Sequence, residues 1–189
     1  MNDIWLVRHG ATRWSVVGRH TGRTDLPLTE AGQAGATVLA PQLAAQEFAL
    51  VLTSPLQRAR TTAQLAGFPH AEVCDDLIEW DYGEFEGKRT AEIREQFPGW
   101  TVWHGPWPGG EVIDAVAARA ERVLARVNAA DGPVLLFAHG HILRIFTAIA
   151  LELAPQAAAR FALEPSTLSM LNEQNDQRVI RTWNVPPCA

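Results

Sequence analysis

Apolar and polar positions alternate along the chain between two kinds of segment. Residues 3–7 (DIWLV) form a short apolar run that ends abruptly in polar residues, the pattern of a strand buried on both faces. Residues 49–53 and 134–138 repeat it, and weaker runs lie near Val73, at 167–171 and at 178–183. Helical spacing fills the gaps. Thr29 predicts a cap for a helix from Glu30 to about Gln46, broken or bent at Pro41, where proline removes an intrahelical bond and crowds the preceding turn. Ser54-Pro55-Leu56-Gln57 predicts an N-cap at Ser54, proline at the first helical position and a capping box closed by Gln57, with the helix running to about Ala66. From Glu111 to Asn128, Val112, Ala115, Val116, Val123 and Val127 recur among Arg and Glu as an amphipathic surface helix, and another helix covers about Ile142 to Leu153.

Strands alternating with helices predict an α/β fold, a three-layer sandwich whose mostly parallel central sheet carries helices on both faces. One domain, 1–189, accounts for the length, since no repeat, linker or low-complexity tract divides it. Residues 83–110, rich in Gly, Pro and Trp, read as a loop excursion of the kind that often covers a site. Trp100, Trp103 and Trp107 within it read either as core cover with satisfied ring N–H groups or as a lid.

Composition narrows the function. Hydrophobic residues make up 47% of the chain, enough to fill a core, and 16 Lys+Arg against 21 Asp+Glu give a net charge of −5. No basic surplus is present to neutralise a phosphate backbone, so nucleic acid is not an expected partner. The longest apolar stretch, ILRIFTAIALEL, is interrupted by Arg144 and falls short of the roughly 20 residues that span a bilayer, so no membrane association is expected. MNDIWLVRHG lacks the basic start of a signal peptide, and the expected location is the cytoplasm. Cys74 and Cys188 have no CxxC partner and read as reduced bystanders. No heptad or apolar seam marks an interface, which leaves a homo-oligomer open.

Chemistry-bearing residues gather where the strands end. Arg8-His9-Gly10 follows the first run, and His139-Gly140-His141 follows VLLFA; the crevice beyond the carboxyl ends of strands is where open α/β sheets bind ligands. If those two strands are neighbours, both histidines meet at one sheet edge. Arg58, on the first turn after ALVLT, joins them there. Two guanidiniums match a tetrahedral anion, and a neutral imidazole between them can attack phosphorus. A proton donor for the leaving oxygen must come from LIEWDYGEFEG, where Glu79, Asp81, Glu84 and Glu86 compete on composition, with Glu79 favoured by its place between an apolar run and a turn. Zinc at the two histidines is disfavoured, because nearby cysteines and an HExxH spacing are both absent. Arg60 and Arg144 read as solvated helix charges, and His20, His70 and His104 as loop residues.

LVRHGAT, SPLQRARTTA, IEWDYGEFEG and FAHGHILR, in this order, resemble the motifs of the histidine phosphatase superfamily, the phosphoglycerate mutase-like family, over nearly the whole chain. The resemblance implies that His9 is the phosphorylated nucleophile, that Arg8, Arg58 and His139 form the phosphate pocket, and that Glu79 is the acid/base. HTGRTDLPLTEAG, EWDYGEFEG, WTVWHG followed by GGE, and AHGH are most similar to the broad-specificity acid phosphatase and sedoheptulose-1,7-bisphosphatase branch. That likeness implies that Thr21, Gly22, Trp80, Tyr82, Gly140 and His141 lie near the substrate and that Glu111 sits close to the phosphate pocket. His104 departs from the bisphosphatase pattern, which has arginine there, and this weakens a second-phosphate site. The expected activity is hydrolysis of a small-molecule phosphomonoester through phosphohistidine, with no metal and no organic cofactor. Alternatives are a phosphoglycerate mutase, which the compact 83–110 segment and the short tail after Trp183 disfavour, and a non-catalytic phosphoryl-binding module.

Overall fold

A computed structural model describes residues 2–187; Cys188, with the end of the NVPPCA tail, lies outside the described residues. In chain order the elements are β1 (Ile4–Arg8), α1 (Arg13–Val16), α2 (Glu30–Val38), α3 (Ala40–Ala44), β2 (Leu50–Thr53), α4 (Gln57–Leu65) and β3 (Glu72–Val73). They continue with α5 (Thr90–Gln96), α6 (Ile113–Asn128), β4 (Val134–Ala138), α7 (Gly140–Ala150), β5 (Leu168–Gln174) and β6 (Gln177–Val185). One six-stranded sheet has the order β3-β2-β4-β1-β5-β6. Its first four strands are parallel, while β5 runs antiparallel to β1 and β6 antiparallel to β5.

The continuous apolar runs become strands covered on both faces because successive side chains point to opposite sides. On β1 and β4, Ile4, Leu6, Val134, Leu136 and Ala138 pack with α6 and α7 through Val116, Val123, Ile142 and Phe146. Val7, Leu135 and Phe137 point the other way, onto Leu39, Leu43, Ala63 and Ala66 of the α2 to α4 side. The result is a mostly parallel sheet between two helical layers. Cys74 is buried and free, and among the described residues no helix is long and apolar enough to cross a membrane.

One local expectation is met and two are corrected. The helix begun at Thr29 ends at Val38 and restarts as α3, because Pro41 is tolerated only in a first helical turn. Ser54 does not cap α4: the helix starts at Gln57, and its first N–H donates 2.9 Å to Asp25 Oδ1, a cap from 32 residues away. The 83–110 segment is no bare loop, since it contains α5 and buries Trp100 and Trp103 in the core. Indole N–H groups of Trp100 and Trp107 donate to the Pro106 and Val102 carbonyls, which satisfies the polar edge of each ring.

Strand order positions the chemistry. β1 and β4 are neighbours with Arg8 opposite Ala138, and β2 pairs β4 with Thr53 opposite Phe137. His9, Ser54 and His139 are therefore each the first residue beyond adjacent parallel strands, at one edge.

Candidate active site

The His9 ring is buried, and its Nδ1 lies 2.7 Å from the Gly10 carbonyl oxygen. A carbonyl only accepts, so Nδ1 carries the proton and Nε2 keeps its lone pair. Burial, reinforced by the Arg58 and Arg8 charges, holds His9 well below the usual imidazole range and keeps it neutral. Gly10 is required here: a Cβ would sit 2.3 Å from the carbonyl oxygen of Gly32 on α2, so only glycine lets that helix brace the His9 turn.

Behind His9, at a ring-centroid distance of 5.0 Å, stands His139. Its Nδ1 accepts from Arg58 Nε at 3.0 Å, and its Nε2 is 2.6 Å from Ser54 Oγ. Guanidinium has no acceptor, so His139 is the Nε2–H tautomer and donates to Ser54. Arg58 is fully buried and donates from Nη1 and Nη2 to the backbone carbonyls of Thr21, Gly22 and Thr24. That loop is held in turn by Glu86, whose Oε1 accepts from the N–H groups of Gly22 and Thr24. Gly22 is obligatory at this crossing, since a Cβ would meet the Trp80 carbonyl oxygen at 2.3 Å. Arg58, His139 and Gly22 thus form a hydrogen-bonded layer against His9.

Glu79 separates from the other carboxylates. Its Oε1 accepts from the N–H groups of Trp80 and Ile142, both at 2.9 Å, and its Oε2 accepts from His141 N–H at 3.0 Å. Two of those donors belong to the first turn of α7, whose backbone N–H groups have no partner within the helix. Asp81 instead accepts from the Gly83 N–H, and Glu86 holds the loop described above, so of the four competing carboxylates only Glu79 lines the cavity.

Arg8, His9, Glu79, Thr21, Tyr82, Gly140 and His141 share this cavity. Arg8 donates from Nη1 to the Leu163 carbonyl, while its buried Nε has no partner among the described residues. Two expected substrate neighbours do not line it. Trp80 is fully buried, with its indole N–H on the Glu111 carbonyl, and Gly22 is the crossing point behind Arg58. Glu111 is also displaced from the expected phosphate pocket, because its carboxylate is paired with Arg119. His104 is exposed, bonded to the Thr101 hydroxyl.

Two residues read as ordinary surface groups do line the cavity: His20 and Arg144. Arg144 stands three residues after His141 on α7, a spacing that puts both on one helix face and could have been read from the sequence. Its guanidinium lies 4.4 Å over the Trp103 ring, and burial together with Arg8 pushes it down to about 10. His20 carries no local signal; backbone bonds to Lys88 and Gly87, almost 70 residues away, deliver it. Arg19, Ser15, Gly18 and Leu163 complete the rim.

Two buried imidazoles, His9 and His139, and two half-buried ones, His20 and His141, make the fold acid-sensitive. His9, His139 and His141 are held well below 6.5 and His20 is pushed down to about 4, in each case chiefly by burial. Unfolded imidazoles take up protons near pH 6.5, so below that value the unfolded chain gains protons that the folded chain refuses. Stability is unaffected above about pH 7 and falls by up to about 1.4 kcal/mol per histidine per pH unit below about 6.5, until the folded value is reached. Thermal midpoints at pH 7.5, 6.5 and 5.5 should fall across the last interval, and a midpoint that holds or rises there would contradict this burial.

Comparison with known proteins agrees with this fold. The family model of the histidine phosphatase superfamily (branch 1) matches residues 4–186. An acid phosphatase of Mycobacterium tuberculosis is 37% identical over 179 residues, covering 93% of this chain and 88% of that protein. A sedoheptulose 1,7-bisphosphatase of Saccharomyces cerevisiae is 35% identical over 178 residues, covering 76% of this chain and 65% of that protein. The solved structure of a Mycobacterium tuberculosis open reading frame superposes with a TM-score of 0.94 at 34% identity, covering 99% of both chains. With its sheet order, its strand-end histidines and these relatives in agreement, the chain belongs to branch 1 of the histidine phosphatase superfamily, as an enzyme of its phosphatase type.

Proposed function

We propose that the protein hydrolyses small phosphomonoesters, sugar phosphates or comparable metabolites, through a phosphohistidine formed on His9. The observation that carries this reading is the pairing, at one cavity wall, of a neutral imidazole and a buried Arg8 Nε, with neither the His9 Nε2 nor the Arg8 Nε hydrogen-bonded among the described residues. An unpaired buried cationic donor is expensive unless an anion completes it, and a phosphoryl oxygen does so. The relatives' names, an acid phosphatase and a bisphosphatase, support the same class.

In the first half-reaction the His9 Nε2 lone pair forms the N–P bond as the ester P–O bond breaks, and the departing oxygen takes a proton from Glu79. Arg8 holds the equatorial oxygens, while Arg58 adds charge from behind. In the second half-reaction a water oxygen attacks phosphorus and gives its proton to Glu79. The N–P bond then breaks, its pair returns to Nε2, and inorganic phosphate leaves. Each proton lent by Glu79 is thereby regained. The scheme uses no metal and no organic cofactor, and its partner is the small ester rather than nucleic acid or membrane.

Phosphate release from a panel of metabolite phosphates, run in chelator, tests the reading. Release that persists in chelator is expected. Exchange of phosphoglycerate isomers without release would replace it with a mutase, and release that stops in chelator would replace the metal-free scheme.

A further inference from the structure

Glu79 is fastened at both ends of its side chain: the carboxylate to the first turn of α7, and the backbone around it to the start of α6. The second attachment runs through Arg119 and Glu111, which stand outside the cavity. Arg119 is buried on the core-facing side of α6. Its Nε and Nη2 donate to the two carboxylate oxygens of Glu111, each at 2.9 Å. Its Nη1 donates to the carbonyls of Asp76 at 2.7 Å and Ile78 at 2.8 Å. Glu111 reaches the other side of the same segment: its Oε2 accepts from Asp81 N–H at 2.9 Å, its N–H donates to the Asp81 carbonyl, and its carbonyl accepts from the Trp80 indole. Residues 76, 78, 80 and 81 are thus all tied to this one pair, with Glu79 between them.

A bidentate guanidinium–carboxylate pair has a planar geometry that resists rotation, which makes it a stiff reference point. Buried pairs of this kind contribute little to stability compared with apolar packing of the same volume, so stability alone is a weak account of this one. From these contacts we infer that Arg119 and Glu111 are positioning residues for proton delivery: they hold the main chain at 76–81 so that the Glu79 carboxyl stays in register with the leaving oxygen. The inference rests on the proposed role of Glu79 as acid/base. Neither residue contacts substrate in this account, and both act through Glu79.

The test compares single-turnover alcohol release from an alkyl phosphate, whose leaving group needs a proton, with release from an activated aryl phosphate, whose leaving group does not. Arg119→Gln and Glu111→Gln are each expected to lower the alkyl rate about 10- to 100-fold, the scale of a misplacement of about 1 Å, and the alkyl-to-aryl ratio by about tenfold or more. Arg119→Lys, which keeps the charge but not the fork, should recover only part of the ratio. Adding Arg119→Gln to Glu79→Gln should lower the ratio no further, because both act on one proton. Equal losses on both esters, or an additional fall in the double variant, would overturn the positioning role while leaving Glu79 as the acid. An unchanged ratio in Glu79→Gln alone would remove the acid assignment and this inference with it. Should Arg119→Gln fail to fold, Glu111→Gln and Arg119→Lys, which retain the buried bulk, carry the same comparison.

Discussion

His9→Ala is expected to abolish turnover and the phosphoenzyme together. Loss of a nucleophile that works as a unit with its neighbours costs on the order of 10⁴- to 10⁶-fold in rate, and His139 has no free ring nitrogen with which to replace it. The two nitrogens of His139 are occupied by Arg58 and Ser54, and His141 is bonded through Nδ1 to Tyr82. Rapid quenching with radiolabelled substrate, followed by a denaturing gel at alkaline pH, should show an acid-labile band in the native protein and none in the variant. A band of equal intensity in His9→Ala would move the nucleophile elsewhere. The fold should survive, because the side chain makes one polar contact, to its neighbour's carbonyl, and its loss is worth about 1–2 kcal/mol.

Glu79→Gln is the second large effect, and it should depend on the leaving group. Turnover of alkyl phosphates is expected to fall ~10²- to 10⁴-fold, the usual contribution of a positioned general acid. Of the three backbone N–H groups that meet the carboxylate, an amide with its oxygen at the Oε1 position keeps those of Trp80 and Ile142 and opposes that of His141 with its NH₂. Activated aryl phosphates should still phosphorylate His9, giving a burst of phenolate about equal to the enzyme concentration. A slow steady state follows, since the same variant lacks the base that activates water. Stopped-flow traces settle the matter: equal loss of the release step for aryl and alkyl esters would sink the assignment.

Part of this site is legible in the linear chain for a specific reason. The apolar runs at 3–7, 49–53 and 134–138 are short, β-branched-rich and end in polar residues, and each becomes a parallel strand whose last residue abuts the site. A strand's period and its end are local properties, so the chemistry placed just past them is readable. The choice of Glu79 over Asp81, Glu84 and Glu86 is of a different kind. Residue type and neighbourhood leave four candidates, a motif resemblance names one, and only the first turn of α7 shows which carboxylate it meets.

Contacts distant in sequence account for the rest. Ser54 has the composition of a helix cap, yet its hydroxyl accepts a hydrogen bond from His139 Nε2–H, while Asp25 caps α4 in its place. Arg58 reads as part of a phosphate pocket, and only the fold shows that it also holds His139 and three carbonyls of the 21–24 loop. Arg144, by composition a surface charge, folds over Trp103 into the cavity wall. Polar side chains bond to whatever donor or acceptor the folded chain brings within reach, and no local pattern encodes that.

The sequence by itself determined the layered α/β class, the strand ends that carry His9 and His139, and the amphipathic faces of the helices, because hydrophobic periodicity acts over a few residues. Strand order, which makes β1 and β4 neighbours, was decided by tertiary structure, and with it the meeting of the two histidines, the tautomer of each and the bracing of Glu79 by Arg119 and Glu111. Those features depend on groups separated by tens of residues finding partners in a desolvated interior, where an unpaired polar group costs about 1–3 kcal/mol.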